Sequence, residues 1–282
     1  MTHPKILFLL VNYFNDDETC SFVTNQIFLQ TLRDFEILII DNGSNDRSKL
    51  EALAGMHPEV TLVGTGKNQG YIGGACFGLR KFLEAGNALP ALVIVSNTDI
   101  EFVASNFLEN LCSISLRQDF DLLGPDVFSD LLSHHQNPLM RDRISLKKLR
   151  MLTLLSSSVC LHYLFLTFYY SRTWIMSGLQ RSDKTNLIPC KVYGIHGSFM
   201  VFNNTFFQKG GSLETPLTLF GEEIFFAELA LEKNMTVLFD PSLKIIHHEH
   251  STTRVFKSRK AVRQLHSSYL TLLAMRVEQD GN

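Results

Sequence analysis

Residues 91–102 read ALVIVSNTDIEF, an apolar run that gives way abruptly to polar and acidic side chains. The apolar part has the length of a β-strand, and its lack of alternation is typical of a strand covered on both faces. Asp99 and Glu101 follow, and in an extended chain these two carboxylates would face the same side. The stretch therefore predicts a buried strand that ends in a pair of carboxylates.

Three similar apolar runs precede this one, separated by segments with helical spacing of apolar residues. They are KILFLLVN at 5–12, FEILIID at 35–41 and VTLVG at 60–64. Strands that alternate with helices predict a parallel sheet with right-handed crossovers. Ligands bind such sheets at the carboxyl ends of the strands. Asn12, Asp41, the loop at 68–70 and Asp99 all fall at that edge.

Composition limits the class of protein. The chain has 282 residues, of which 45% are hydrophobic, so it can bury a large core. A net charge of −2 provides no basic field, and we expect no nucleic-acid partner. The five cysteines are odd in number and contain no CxxC, which argues against a disulfide framework or zinc knuckle and favours the cytoplasm. The apolar run before Asn12 is too short for a signal peptide.

The middle of the chain leaves two interpretations open. Residues 141–150 are rich in Lys and Arg, and the following 21 residues, 151–171, contain no charged side chain. A basic helix leading into an apolar, aromatic one is typical of a segment on a bilayer surface, which predicts peripheral membrane contact through 141–171. A buried helical hairpin has the same composition.

Two loops at the predicted ligand edge are rich in turn-forming residues. GTGKNQGYIGG at 64–74 has neither the glycine spacing of a dinucleotide-binding loop nor that of a P-loop. Its glycines either form a simple turn or let the backbone approach a ligand closely. Asp41 begins an Asp-Asn-Gly turn, where its carboxylate could instead accept hydrogen bonds from a ligand.

Acidic residues and histidines form three further candidate groups. Asp99 either caps a helix or holds a hard divalent cation. Glu222 and Glu223 either begin a solvated helix or form a coupled pair in which one carboxylate acts as a general base. The segment 236–252 is predicted as strand, turn at Asp240–Pro241, and strand, and it ends in His-His-Glu-His at 247–250.

In that strand His248 and His250 would share one face, while His247 and Glu249 would share the other. The cluster is not HExxH, so a zinc protease is unsupported. One histidine that joins Asp99 at a shared metal ion requires fewer additional ligands than a separate zinc site.

Taken in order, seven stretches resemble the family 2 glycosyltransferases, inverting enzymes of GT-A fold that build bacterial polysaccharides. They are VNYFN, IIDNGSND, NQGYIGGACFG, SNTDIEF, GIHGSFMVF, FGEEIFFAELALEKN and DPSLKIIHHEHSTT. The resemblance implies an α/β, GT-A-like domain over 1–282, with a mostly parallel central sheet flanked by helices. Its parts would be a nucleotide-binding half at 1–105, a linker and helical insertion at 106–190, and an acceptor and catalytic half at 191–282.

The resemblance also implies roles for individual residues in binding the donor. Asn12 and Asp41 would contact the base and ribose, and the loop from Asn68 through Gly70 to Gly74 would lie along the nucleotide. Asn-Thr-Asp at 97–99 stands where the family has a DxD-type motif.

In that motif Asp99 would ligate Mg²⁺ or Mn²⁺, and Asn97, at the first acidic position, is assigned to the nucleotide. His247 would be a second metal ligand, although alternation along the strand leaves His248 as a second candidate. Glu223 aligns with the expected general base, and Glu222 is the alternative.

These roles describe an inverting, metal-dependent enzyme that moves a hexosyl or deoxyhexosyl group from a nucleotide-diphosphate donor. The acceptor would be a glycan or lipid-linked glycan in bacterial surface polysaccharide synthesis, at the inner face of the membrane. A nucleotidyltransferase is the first alternative, but it would require a glycine-rich basic loop after the first strand, which VNYFNDDET lacks. The second is a catalytically weak sugar-nucleotide-binding protein, because Asn97 and Glu223 both stand where the family has Asp.

Overall fold

The computed structural model describes residues 4–44, 46–167, 188–217, 219–249 and 258–281. The described strands are β1 Ile6–Asn12, β2 Phe35–Asp41, β3 Val60–Gly64, β4 Leu92–Ser96, β5 Ile100–Phe102, β6 Leu122–Ser129, β7 His134–His135, β8 Cys190–Lys191, β9 Phe199–Asn203 and β10 Val237–His247. The described helices are α1 Asp16–Phe22, which continues as a π-helical stretch over Val23–Ile27, α2 Ser48–Met56, α3 Tyr71–Glu84, α4 Phe107–Ser115, α5 Leu146–Ser156, α6 Val159–Thr167, α7 Asn204–Gln208, α8 Glu222–Glu232 and α9 Arg259–Gly281.

All ten strands form one sheet in the order β3-β2-β1-β4-β9-β6-β10-β5, with β7 beside β6 and β8 beside β10. Along this order the pairs β3–β2, β2–β1, β1–β4 and β6–β10 are parallel, whereas β4–β9, β9–β6 and β10–β5 are antiparallel. The predicted α/β fold with a mostly parallel central sheet flanked by helices is confirmed. The division into a nucleotide-binding half, an insertion and a catalytic half stays a prediction.

The four strands predicted from apolar runs are buried because helices cover both faces of the sheet. Ile6, Phe8 and Leu10 of β1 belong to a core layer shared with α1, α2 and α4. Leu7 and Leu9 face the opposite layer, which includes α3 and α8. In register, Asn12 pairs with Asp41, and Asp41 pairs with Gly64, so three strand ends meet along one line.

The prediction of two strands separated by a turn at Asp240–Pro241 is wrong. Residues 237–247 form a single strand whose register against β6 shifts between Asp240 and Lys244. A bulge of this kind accommodates a residue without a backbone N–H. Ser242 donates hydrogen bonds from its N–H and its hydroxyl to Asp240 Oδ1, at 2.9 and 2.6 Å, which closes the bulge locally.

Helices α5 and α6 lie within the range of the predicted insertion and meet at an angle of 115°. One face of α5 packs on α9, where Ser156 Oγ lies 3.1 Å from His266 Nδ1 and Thr153 is buried. Residues 168–171 of the predicted membrane-contacting segment lie outside the described residues. Among the described helices none is long and apolar enough by itself to cross a membrane, whereas the bent pair α5 and α6 together meet the criteria of length and composition.

Helix α3 lies unusually close to the sheet because two of its glycines face β-strands. A Cβ atom on Gly74 would lie 2.9 Å from Val11 Cγ1, and one on Gly78 would lie 2.5 Å from Ile40 Cγ1. Both positions are buried on the same side of the helix as Ala75 and Leu79. These glycines therefore set the distance between the helix and the strands that lead to the site.

We expect Gly78→Ala to lower the free energy of unfolding by about 1 to 2 kcal/mol. Overpacking a core destabilises a protein by about 1 to 3 kcal/mol, and the higher helix propensity of alanine offsets up to about 1 kcal/mol of this. Thermal unfolding should then show a fall of several degrees, at about 2 to 4 °C per kcal/mol. Gly73→Ala is the control in the same helix, because its Cβ would lie an ordinary 3.5 Å from Gln69 Cβ. Equal melting temperatures for Gly78→Ala and the wild type would contradict the close packing.

Candidate active site at the carboxyl edge of the sheet

Asn12 and Asp41 end neighbouring strands, as predicted, but they are engaged differently. The amide of Asn12 is buried, donates to Asp16 Oδ1 at 2.7 Å and Ser44 Oγ at 3.1 Å, and accepts from Thr19 Oγ1 at 2.8 Å. Both of its N–H groups are thereby used within the chain. A direct contact between Asn12 and a nucleotide stays a prediction.

Asp41 is also buried, and its Oδ1 accepts a hydrogen bond of 2.9 Å from the Ser44 N–H. The neighbouring Asn42 is a residue that the sequence analysis did not single out. Its Nδ2 donates to the Gly70 carbonyl at 2.9 Å, and its Oδ1 accepts from the Gln69 N–H at 2.9 Å. Asn42 therefore ties the end of β2 to the glycine-rich loop, and an amide at a turn position was the available signal.

The glycine-rich loop is ordered by its own polar groups. Asn68 Oδ1 accepts a hydrogen bond of 2.8 Å from the Gly70 N–H. Gly70 precedes α3 with φ of 79° and ψ of −178°, a backbone conformation that favours glycine. Gly74 lies one turn into the helix against Val11, so the structure gives it a packing role. Contacts from Asn68, Gly70 and Gly74 to a nucleotide stay predictions.

The Asn-Thr-Asp segment forms the turn between β4 and β5. Thr98 is anchored to α1, since its hydroxyl donates to Glu18 Oε1 at 2.5 Å and accepts from Asn15 Nδ2 at 3.0 Å. Asp99 is 4% exposed, and its carbonyl accepts from the His248 N–H at 3.0 Å. Because β4 ends at Ser96 and β5 begins only at Ile100, the chain is not continuously extended here.

The structure brings Asp99 together with His247, which is 2% exposed and ends β10. His247 Nε2 lies 3.3 Å from Asp99 Oδ1 and 3.5 Å from Asn97 Nδ2. The prediction that Asp99 and Glu101 share one side is wrong, because the broken strand turns Glu101 away.

Glu101 Oε2 instead lies 3.2 Å from Nε2 of the partly exposed His248, whose Nδ1 contacts Asp130 Oδ2 at 2.5 Å. Of the two adjacent histidines, only His247 therefore faces Asp99. His250 lies outside the described residues.

The two consecutive glutamates begin α8 on the same side of the molecule. Glu222 is buried and accepts a 3.0 Å hydrogen bond from the Phe220 N–H, while a Cβ atom on Gly197 would lie 2.9 Å from Glu223 Oε1. Removal from water raises the pKa of both carboxyl groups, and the charge of Glu223 raises the pKa of Glu222 further. Neither pKa is lowered by a lysine or arginine among the described residues.

Two residues that were not singled out from the sequence lie close enough to Asp99 for its charge to affect their pKa values. Burial raises the pKa of the Tyr71 phenol, and the nearby charges of Glu222, Asp99 and Glu223 raise it further. The Tyr71 hydroxyl is buried without a hydrogen-bond partner among the described residues. This aromatic residue beside glycines carried no sequence signal of its own.

His196 is the second missed residue, and its ring centroid lies 5.6 Å from that of His247. Its Nδ1 accepts a 3.2 Å hydrogen bond from the Ser198 N–H, so in the neutral ring Nε2 carries the proton. Burial lowers the pKa of His196 to about 3, and the adjacent His247 contributes to this. His196 is therefore a neutral hydrogen-bond donor at physiological pH.

The residues present fit a divalent cation that keeps other ligands. No group of three or more His, Cys, Asp or Glu side chains within the described ranges could hold a metal ion unaided. Asp99 and His247 offer one carboxylate and one imidazole at a single point. Cations at nucleotide sites commonly use one or two carboxylates and complete their shell with water and substrate phosphates. A divalent cation held by these two side chains would therefore need further ligands from water or substrate.

Comparison with known proteins identifies the family of this chain. The family model described as Glycosyl transferase family 2 matches residues 10–154, which are 145 of the 282 residues. No curated protein matches the sequence significantly. Solved structures of low sequence identity match its fold.

GalNAc-T7 with UDP, GalNAc and Mn²⁺ matches with a TM-score of 0.56 and 15% identity over 87% of this chain and 43% of that chain. The mannosyltransferase PcManGT from Pyrobaculum calidifontis, in complex with GDP-Man and Mn²⁺, matches with a TM-score of 0.54 and 12% identity over 100% and 76% of the two chains. S. aureus TarS 1–349 matches with a TM-score of 0.55 and 10% identity over 95% and 71%.

This chain thus spans less than half the length of the GalNAc-T7 chain. At these identities the likeness concerns the fold, a mixed α/β sheet of the GT-A type. The family model covers more than half of the sequence, including the ends of β1, β2 and β4. The chain belongs to glycosyl transferase family 2.

Proposed function

We propose that this chain is an inverting, metal-dependent glycosyltransferase that moves a hexosyl or deoxyhexosyl group from a nucleoside-diphosphate sugar to a glycan. The observation that carries the proposal is the placement of two different acidic groups at one edge of the sheet. Asp99 lies against His247, whereas Glu222 and Glu223 have raised pKa values and no cationic partner among the described residues. The presence of Mn²⁺ with UDP in GalNAc-T7 and with GDP-Man in PcManGT supports a similar donor here.

In this proposal the nucleotide lies over the ends of β1 to β3, beside Asp41 and the loop at 68–70. Asp99 and His247 would hold Mg²⁺ or Mn²⁺ next to the donor diphosphate. Such an ion, when bound, neutralises negative charge that develops on the leaving group. Asp99 is kept in place by the Thr98–Glu18 hydrogen bond and by the pairing of β5 with β10.

One of the two glutamates takes the proton of the acceptor hydroxyl, and Glu223 is the better placed. Both carboxylates accept a hydrogen bond from a backbone N–H, Glu222 from Phe220 and Glu223 from Gly197. Glu223 is favoured because Gly197, against which it packs, is next to His196 in the chain. A raised pKa makes a carboxylate a stronger base once it is ionised. Direct displacement by the activated hydroxyl inverts the configuration at the sugar and needs no covalent enzyme intermediate.

We further propose that the acceptor is lipid-linked, of the bacterial surface polysaccharide type, and is met at the cytoplasmic face of the membrane. Helices α5 and α6 support this because they expose large apolar side chains, with Met151 at 47%, Leu154 at 65% and Leu164 at 69%. Lys147, Lys148 and Arg150 are exposed on the same α5 helix. Apolar side chains among basic ones suit a surface of anionic lipid.

We expect the melting temperature to rise with one nucleoside diphosphate and Mn²⁺ together, in a panel of UDP, GDP, dTDP, CMP and NAD with and without the metal. Ligand at about 100 times its dissociation constant adds about 2.7 kcal/mol, which corresponds to several degrees at this chain length. Asp99→Asn should abolish the metal-dependent part of the shift, and Glu101→Gln is the matched control. A shift that is indifferent to both Mn²⁺ and Asp99→Asn would contradict the proposed site.

Glu223→Gln should lower kcat by about 10² to 10⁴ with the donor so identified, because the acceptor hydroxyl loses its base. Donor binding and melting temperature should change little. Gly197→Ala should also lower kcat, since the new methyl group would displace the Glu223 carboxylate, whereas Gly55→Ala has open space and serves as control.

A loss of activity confined to Glu222→Gln would assign the base to Glu222. Donor binding without turnover in the wild type would instead favour the binding-only alternative, and pyrophosphate release would favour a nucleotidyltransferase.

The raised pKa values of Glu222 and Glu223 predict how activity and stability depend on pH. Because the base must be ionised, kcat should rise with pH through the raised pKa values of the glutamates. Groups whose pKa values are raised by folding stabilise the protein below their unfolded-state values and lose that contribution as pH rises through the folded-state values. The free energy of unfolding of wild type relative to Glu222→Gln should therefore fall over that range. If the free energies of unfolding of the two proteins changed in parallel with pH, that result would contradict a raised pKa for Glu222.

Sedimentation with vesicles tests the membrane contact. The protein should bind vesicles that contain anionic lipid, bind neutral ones more weakly, and be released by salt. Leu154→Ser with Leu164→Ser should weaken binding, and Leu116→Ser, which is 65% exposed like Leu154 but directly follows α4, is the control. Equal binding by the double variant and the wild type would exclude this surface.

A further inference from the structure

Three polar side chains form a continuous line behind the contact between His247 and Asp99. Gln136 Nε2 donates a hydrogen bond of 2.7 Å to Glu249 Oε1, and Gln136 Oε1 lies 2.9 Å from His247 Nδ1. Glu249 is 8% exposed and has a φ of 52°, which is rare for a residue other than glycine. The Gln136 backbone is fixed by a 2.7 Å hydrogen bond from its N–H to the Val127 carbonyl.

The direction of these hydrogen bonds follows from the chemistry of Glu249. An ionised carboxylate can only accept hydrogen bonds, so the amide group of Gln136 must turn its N–H₂ toward Glu249. Its carbonyl oxygen then faces His247, and since an oxygen of this kind can only accept, His247 Nδ1 must carry a proton. In the neutral ring the lone pair is therefore on Nε2.

That nitrogen is the atom that faces Asp99. Nε2 lies 3.3 Å from Asp99 Oδ1, and the Asn97 amide nitrogen lies 3.5 Å away on the same side. A lone pair opposite a carboxylate is unfavourable unless a positive charge lies between them. The neighbouring His248 provides a contrast, because the carboxylates of Asp130 and Glu101 contact its two nitrogens directly.

We propose that Gln136 and Glu249 are positioning residues that hold His247 as the Nδ1–H tautomer, with the Nε2 lone pair directed at a cation site beside Asp99. The inference rests on the proposed function in taking a divalent metal as the cation. It adds two residues, one directly after β7 and one two positions after β10, that determine whether His247 can bind metal. Partners of this kind typically change metal affinity by about 10- to 100-fold.

Exchange of the two polar groups tests the proposal without changing the composition of the site. Glu249→Gln allows the amide at position 136 to reverse, which presents N–H₂ to Nδ1 and favours the Nε2–H tautomer. The double variant Gln136→Glu with Glu249→Gln restores an acceptor opposite Nδ1 and a donor behind it. Asp130→Asn, which changes a partner of His248 and not of His247, is the matched control.

The first measurement is the tautomer of His247 in metal-free protein, read from two-bond ¹H–¹⁵N spectra at alkaline pH. The second is Mn²⁺ affinity, titrated alone and with UDP or GDP, read from the electron paramagnetic resonance signal of free Mn²⁺. We expect Nδ1–H in the wild type, in Asp130→Asn and in the double variant. Glu249→Gln should shift toward Nε2–H and lose about 10- to 100-fold in Mn²⁺ affinity.

Retention of both the Nδ1–H tautomer and the Mn²⁺ affinity in Glu249→Gln would overturn the role of these two residues. Failure of the double variant to recover what Glu249→Gln loses would do the same, because the loss would then be structural. Absence of Mn²⁺ binding by the wild type would contradict the proposed function itself. The two failures are therefore distinguishable within one set of proteins.

Discussion

The contact between Asp99 and His247 is the constraint on which the site depends, because it joins residues that lie far apart in the sequence. Asp99 follows β4, and His247 ends β10. The Asn97–His247 approach spans 150 positions in the chain. The contact forms only when β10 inserts beside β6 and pairs antiparallel with the short β5, which aligns His247 with Ile100. The His248 N–H to Asp99 carbonyl hydrogen bond then closes the turn after β4. The pairing that completes the fold therefore also forms the proposed metal site.

The buried glutamates of α8 lie in two different electrostatic environments. Glu228 in α8 is also buried, yet Arg143, Arg276 and Tyr193 all donate hydrogen bonds to it. Burial alone would raise the pKa of Glu228, but these hydrogen bonds and positive charges lower it overall. That cluster holds α8 to α9 and to the segment before α5, and its charges are satisfied internally.

One or two turns earlier in the same helix, Glu222 and Glu223 have raised pKa values and no such partners among the described residues. Burying a carboxylate without compensation costs free energy. Two arginines neutralise Glu228, whereas Glu222 and Glu223 have no cation among the described residues, so that cost falls at the position that we propose for the acceptor. Ionisable groups with perturbed pKa values that lie close together are expected at functional sites.

Sequence patterns predicted the elements whose environment is uniform and missed those that depend on distant contacts. The strands β1 to β4 were predictable because each is covered on both faces, which requires an unbroken apolar run. Asp99 was identified for the same reason, as the first carboxylate after such a run. The continuous β10 was not predictable, since the bulge that absorbs Pro241 exists only because β6 supplies the register on either side of it.

The missed site residues have the same explanation. His196 and Gln136 matter through their neighbours, His247 and Glu249, which lie far from them in sequence. Glycines were predictable as sites of close approach, but what approaches Gly74 and Gly78 is the sheet itself. Alternation failed for Glu101 because it assumes an extended chain, and the backbone turns between Ser96 and Ile100.

The most direct test of the central claim is anomalous diffraction at the manganese edge from crystals grown with Mn²⁺ and the nucleoside diphosphate that stabilises the protein. The account predicts one strong peak within about 2.0 to 2.6 Å of both His247 Nε2 and an Asp99 carboxylate oxygen, with diphosphate oxygens completing the shell. An ordered nucleotide with manganese bound elsewhere, or with His247 and Asp99 still in contact and no metal between them, would contradict it.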